Sequence, residues 1–160
     1  MEPLPSLSNI ELLETNFLYD FAIGLQPRMF DAEDETDKYI YEENSEVSEM
    51  YFFVKGTIGI AVNAFPLKTT DSFYLIAQRR RAYQLIADHY VVNHKRSNFI
   101  YIATTNCHGY GIKKKHVHTI LAKYQDVNGE IRARVYRHYH QHTFKPIRDF
   151  RKAQLTARNS

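Results

Sequence analysis

The sequence predicts a mainly β domain with flanking helices: a sandwich or barrel of about eight short strands, entered by one helix and left by two. Three observations carry this reading. Between Tyr39 and Ile112 the chain alternates short β-branched or aromatic runs with turn residues. Ahead of that region lies an apolar stripe with helical spacing, and two more stripes follow it. No internal repeat is visible.

Residues 10–26, IELLETNFLYDFAIGLQ, set Leu13, Phe17, Leu18, Phe21 and Leu25 on one face of a helix over about 10–25. Asn16 or Thr15 caps its start, Gly24 weakens its end, and Pro27 stops it. DAEDETD at 31–37 is a charged turn. Strands are expected around Ile40, Met50–Val54, Thr57–Val62, Phe73–Ile76, Ala82–Ile86 and Phe99–Ala103. Their breakers are Gly56, Asn63 with Pro66, Arg79–Arg81, Asn93 to Asn98, Asn106 and Gly109. Beyond Ile112, KKKHVHTILAKYQ places Val117, Ile120, Leu121 and Tyr124 on one face of a helix at about 114–125. Asn128-Gly129 breaks it, and Ile131, Val135 and Tyr139 mark a second helix at about 130–143 that Pro146 ends or kinks. The expected organisation is a flexible start at 1–9, one domain at 10–145, and a polar, basic tail at 146–160 that frays.

Hydrophobic residues make up 44% of the 160 and aromatics 14%, enough for a packed core. A single cysteine excludes an internal disulfide framework and a Cys-rich zinc site, and fits a reducing compartment. No apolar run approaches the roughly 20 residues that span a bilayer, and MEPLPSLSN lacks the pattern of a secretion signal. The net charge of +3 hides a division: residues 1–60 carry 13 acidic and 3 basic side chains, residues 61–160 carry 5 and 18. Such a chain can close on itself, present opposite faces to neighbours, or simply solvate both.

Residues 39–62, YIYEENSEVSEMYFFVKGTIGIAV, resemble the opening of a cyclic-nucleotide-binding domain. Ile40, Glu42, Glu43, Asn44, Val47, Met50, Tyr51, Phe52, Phe53, Gly56, Ile58 and Ile60 stand at that family's positions, and LQPR at 25–28 matches the end of its first helix. The resemblance covers about residues 10–145. It implies a β-roll (a double-stranded β-helix, or jelly roll) with one N-terminal and two C-terminal helices. EENSEVSE then becomes the solvent-facing turn of a structural hairpin, and Gly56 serves a turn that needs φ > 0. YVVNHKRSNFIYIAT and GYGIKKKHVHTIL are further similar to cytoplasmic domains of ether-à-go-go-like potassium channels of ciliates, through Asn93, Lys95, Arg96, Ser97, Phe99, Ile100, Tyr101, Gly109, Ile112 and Lys113 to Lys115. That likeness implies a regulatory domain on the cytoplasmic face of a membrane, soluble itself, as a fragment of a channel or a stand-alone protein. Its partners would be the rest of a voltage-gated channel subunit and neighbouring subunits in a tetramer.

The same resemblance implies where a ligand would sit. Binding members hold the cyclic phosphate with Phe-Gly-Glu, a helical turn, and Arg-x-Ala-Ser/Thr-Val. Here Ile86, Ala87 and Asp88 replace the first three, Ser97 falls on the arginine with Arg96 one residue before it, and Phe99 replaces the small alanine. Ala87 adds a Cβ where backbone approaches the anion, Asp88 is one methylene short, and Phe99 can fill the purine's space. Each buried polar partner lost weakens binding by roughly 1–3 kcal/mol. The expectation is a degenerate pocket with no cofactor, cAMP or cGMP binding only weakly, closed by Phe99 or by Tyr136, Tyr139 or Phe144. A working cAMP or cGMP sensor and a structural docking subunit are the alternatives.

Other constellations stay weaker. His138 and His142 share a helix face at i, i+4 and could hold a metal, but no Cys, Asp or Glu lies nearby in sequence, so a surface helix is expected and no metal. Arg79, Arg80, Arg81 and Lys113, Lys114, Lys115 are basic triplets that could meet anionic lipid, a neighbouring subunit or water; nucleic acid is not expected. Cys107 beside His108 does not make a nucleophile, because neighbours in a strand face apart. No catalytic set is present, so no enzyme activity is expected.

Overall fold

The computed structural model describes residues 16–63, 73–79 and 84–159, the segment 73–79 by its backbone alone. Eight strands form two four-stranded antiparallel sheets among these residues, in the orders β1-β8-β3-β6 and β2-β7-β4-β5. The strands are β1 (Gln26–Phe30), β2 (Tyr39–Tyr41), β3 (Glu49–Lys55), β4 (Ile58–Asn63), β5 (Phe73–Arg79), β6 (Gln84–Ile86), β7 (Ile100–Ala103) and β8 (Cys107–Lys113). Helix α1 covers 16–22. The others are α2 (Asp88–Val92), α3 (Lys114–Lys123), α4 (Gln125–Tyr139) and α5 (Lys145–Arg158), with a π-helical turn at His140–Phe144 joining the last two. This is the β-roll that the sequence predicts. No helix of the described residues is long and apolar enough to cross a membrane.

The interior between the sheets is built from alternating strand residues. Ile40, Tyr51, Phe53, Ile58, Ile60, Ile86, Tyr101 and Ile112 are all buried in one cluster. Aromatic edges interlock there: Phe30 meets Tyr51 at 5.3 Å and Phe53 at 5.7 Å between ring centroids, both edge-to-face. Arg28 of β1 reaches across β8 to Glu49 of β3 at 2.7 Å. Gly111 of β8 makes that crossing possible, since a Cβ there would press on the side chains of Arg28 and Glu49. Gly56, with φ 119°, turns the chain between β3 and β4 where a side chain would be strained.

The acidic stretch is not a hairpin. Its flanking strands lie in different sheets, β2 beside β7 and β3 beside β8, so residues 42–48 cross from one sheet to the other. Tyr41 fastens the corner: its hydroxyl donates to the Glu49 carbonyl at 2.5 Å and accepts from the Glu49 N–H at 3.1 Å. The crossing is also tied to residue 97, through Asn44 N–H to the Ser97 carbonyl and Ser97 N–H to the Ser45 carbonyl.

Four other expectations are corrected. LQPR does not merely end a helix; its last three residues open β1, which gains its ladder from β8 rather than from any apolar run of its own. Leu18 is 63% exposed, while Phe17, Phe21 and Leu25 pack on the core. The break after α3 falls at Tyr124, not Asn128-Gly129. Tyr124 leaves the helical conformation because Phe17 holds its ring edge-on at 5.5 Å and Asp20 accepts its hydroxyl at 2.6 Å. Asn128 and Gly129, unfavourable in a helix by about 1 kcal/mol or less each, are carried by the docking of Val127, Ile131 and Val135. The tail is helical: Pro146 sits in the first turn of α5, where its missing N–H is harmless, and Ile147 is buried at 2% exposure.

Candidate functional site: a cassette walled by Tyr139

Strand β6 delivers the chain to Ala87, which has φ 68° and ψ 11°. That left-handed conformation costs a residue with a Cβ roughly 1–2 kcal/mol, and it explains why the resemblance has glycine at this point. The next residue, Asp88, opens α2 and is only 4% exposed. Its Oδ2 stands 3.3 Å from Nδ1 of His138 on α4. Neither atom has a hydrogen-bond partner.

Helix α4 closes the cassette from above. Tyr139, buried at 9% exposure, stacks on His89 at 4.0 Å and meets Tyr90 edge-on at 5.7 Å. Asn98 fixes it by donating from Nδ2 to the Tyr139 hydroxyl at 3.1 Å. The cavity left between Ile86, Ala87, Asp88, Tyr90, His138 and Tyr139 is about 10 Å³, at the lower limit for one water. Burial lowers the pKa of His89, so its ring is neutral near pH 7 where it stacks. Below it Tyr90 and Tyr101 join hydroxyls at 3.0 Å, and burial pushes the Tyr90 hydroxyl far above its usual range.

Of the residues the sequence singles out, Ile86, Ala87 and Asp88 line this cavity. Ser97 is buried and turns inward on its own backbone, donating from Oγ to the Phe99 carbonyl at 2.6 Å. Arg96 points the other way, to the Asn44 carbonyl at 3.1 Å and the Glu46 carboxylate at 3.3 Å. Phe99 is buried in the core and borders the outer face of Tyr139, not the cavity. Lys113 and Lys115 are exposed and Lys114 half-buried at the β8–α3 junction. Arg79 belongs to the backbone-only strand, and Arg80 and Arg81 lie outside the described residues. Cys107 is buried, its thiol pushed up to about 11 by burial, which suits a packed side chain and not a nucleophile.

A second space lies on the far side of Tyr139. It is an open groove of about 620 Å³ walled by His89, Lys95, Phe99, Tyr136, Phe144 and Arg151. Neither Lys95 nor Arg151 has a hydrogen bond or ion pair from its side chain among the described residues. The sequence assigned Arg151 to a fraying tail; only the helix α5 brings it to this groove.

No family model and no curated protein sequence matches the chain. Solved structures do. The regulatory domain of Toxoplasma gondii PKA, crystallised with cAMP, superposes with a TM-score of 0.55 at 15% identity, over 72% of this chain and 41% of that one. The C-linker/CNBHD of zELK channels gives 0.59 at 13% identity, over 76% and 56%. The c-di-GMP responsive global regulator CLP of Xanthomonas campestris gives 0.60 at 9% identity, over 84% and 61%. The fold is therefore that of cyclic-nucleotide-binding domains, and these similar structures are regulatory or binding domains. The chain spans 41–61% of their lengths.

Proposed function

We propose that the chain is a cyclic-nucleotide-binding homology domain on the cytoplasmic side of a potassium channel, and that it regulates gating through protein contacts without nucleotide. One observation carries the ligand-free part: Tyr139 occupies the cassette's mouth and leaves about 10 Å³ behind it. Asp88 and Ser97, at the positions of the ligand-binding Glu and Arg, are turned to His138 and to backbone. The channel part rests on the sequence resemblance, with the zELK similarity in fold as support. Isothermal titration with cAMP and cGMP tests the reading, and dissociation constants no tighter than about millimolar are expected, −4 kcal/mol or weaker. A micromolar constant for either nucleotide overturns it.

The open groove favours one second reading, a cAMP or cGMP sensor. Two cations without partners among the described residues, beside exposed rings, suit an anion with a planar base. Lys95→Gln with Arg151→Gln should abolish any binding on that reading. Lys113 to Lys115 are assigned to an anionic lipid surface, worth roughly 1 kcal/mol each. Replacing all three with Gln should release the domain from anionic vesicles at low salt.

A further inference from the structure

The chain divides its charge by position, and the fold keeps the two signs apart. The turn between β1 and β2, DAEDETD at 31–37, holds five acids and no base, and all five are exposed. Glu35 alone pairs with a cation among the described residues, Lys38 at 2.9 Å. Asp31, Asp34 and Asp37 accept backbone N–H groups of the turn itself. The N–H groups of Asp37 and Thr36 hold the Asp34 carboxyl below its usual range. The turn is thus fixed in shape and presents its negative charge to solvent.

The groove outside Tyr139 is its complement. In that space of about 620 Å³ Lys95 and Arg151 stand without side-chain partners, and no acid lines it among the described residues. Tyr136 and Phe144 on its wall are 58% and 41% exposed, while Met29, beside the acidic turn at the end of β1, is 64% exposed. Two acids of the crossing at 42–48 are already engaged, Glu46 with Arg96 at 3.3 Å and Glu43 with Asn63 at 2.7 Å.

Within one molecule the turn and the groove do not meet. The turn is tied to the far end of β7, through the Ala103 N–H to the Lys38 carbonyl at 2.7 Å and the Ala32 N–H to Oδ1 of Asn106 at 2.9 Å. Lys95, Asn98 and Phe99 precede the near end, and the four residues of β7 lie between, roughly 13 Å of strand. We infer that the groove receives the acidic turn of a second copy of this chain, with Lys95 and Arg151 on its carboxylates and Met29 against the exposed rings. The contact is head-to-tail: each copy gives its turn to one neighbour and its groove to the other, which closes into a ring or extends as a row. The ring rests on the proposed setting among like channel subunits; the contact itself does not.

Sedimentation velocity of the full chain, in buffer without nucleotide, is the test. A micromolar nucleotide constant would overturn the ligand-free reading and leave this contact standing, and a monomer would do the reverse. Exposed ion pairs associate weakly, so the chain is taken to about 1 mM in about 20 mM salt, where screening acts over about 10–30 Å. Dimers and longer species should appear, and about 0.5 M salt should disperse them. Lys95→Glu with Arg151→Glu should weaken association by roughly tenfold or more, since reversal turns attraction into repulsion. Glu33→Lys with Glu35→Lys should do the same, and neither of those carboxylates bonds to the turn's backbone. Mixed one to one, the two double variants should form a dimer again, through the intact turn of the first and the intact groove of the second. All four positions are exposed, and circular dichroism checks that both variants fold. A wild type that stays monomeric, association indifferent to either reversal, or a mixture that stays monomeric would overturn the contact. So would a monomer whose groove variant loses binding to anionic vesicles, which would assign the groove to lipid.

Discussion

Tyr139 has a closed space on one side and an open one on the other. The cassette cavity holds about 10 Å³ and the outer groove about 620 Å³, and both are walled by His89 and Tyr139. The closed side is lined by apolar side chains, tyrosines and histidines around one acid, Asp88; the open side carries two cations and no acid. A single aromatic side chain thus separates a packed interior from a solvated, basic groove. Closure here is a matter of packing density, and charge is left to the outside.

Removing the wall is the most severe way to break that difference. Tyr139→Ala deletes a buried ring, its stack on His89 and the bond from Asn98, and should cost about 3 kcal/mol or more. Urea denaturation measures it, and the two spaces should merge, with cyclic-nucleotide affinity rising. An unchanged midpoint would show that Tyr139 does not close the cassette. Next in size, and opposite in sign, is Ala87→Gly. It relieves the positive φ and should stabilise the domain by about 1 kcal/mol, read as a higher denaturation midpoint with unchanged slope.

The third test uses pH. Burial holds the His89 pKa below its ordinary 6.5 in the folded chain. The unfolded chain therefore takes up the proton first, so stability is full above about pH 6.5 and falls as pH drops through the folded-state value. His89→Gln should flatten that limb of a stability–pH curve between about pH 7 and 5. The smallest effect belongs to Arg96→Ala. Its partner Glu46 is 84% exposed in the side chain, so the loss should stay below about 1 kcal/mol, and nucleotide titrations should not change. A clear loss of nucleotide binding would put Arg96 in the pocket after all.

The roll was legible in the sequence because its strands are β-branched and aromatic runs cut by turn residues. Where an element owes its existence to a distant partner, the sequence was silent. β1 has no pattern of its own and is a strand because β8 lies beside it. The crossing at 42–48 reads as a hairpin, since nothing local says that β2 and β3 pair elsewhere. Helix α5 looks like a tail because only Ile147 is buried in it. In the site, Ala87 and Asp88 were visible as departures from a pattern. The meeting of Asp88 with His138 was not, because 50 residues separate them in the chain and only the packing of α4 on α2 brings them together.

The π turn at His140–Phe144 sets the phase of everything after it. Its i→i+5 bonds take in one more residue than an α turn, and each α-helical residue advances the direction of its side chain by about 100°. Were the same residues wound as plain α-helix, α5 would be rotated by about that angle about its own axis. Ile147 would leave the core and Arg151, one turn later, would swing away from the groove. Deleting Gln141 removes the extra residue together with the need for the wide turn, so the helix should close as plain α with Ile147 still in the core and Arg151 still at the groove; the isoleucine's burial, worth about 1.5–3 kcal/mol, should be kept, and the midpoint of a urea denaturation checks it.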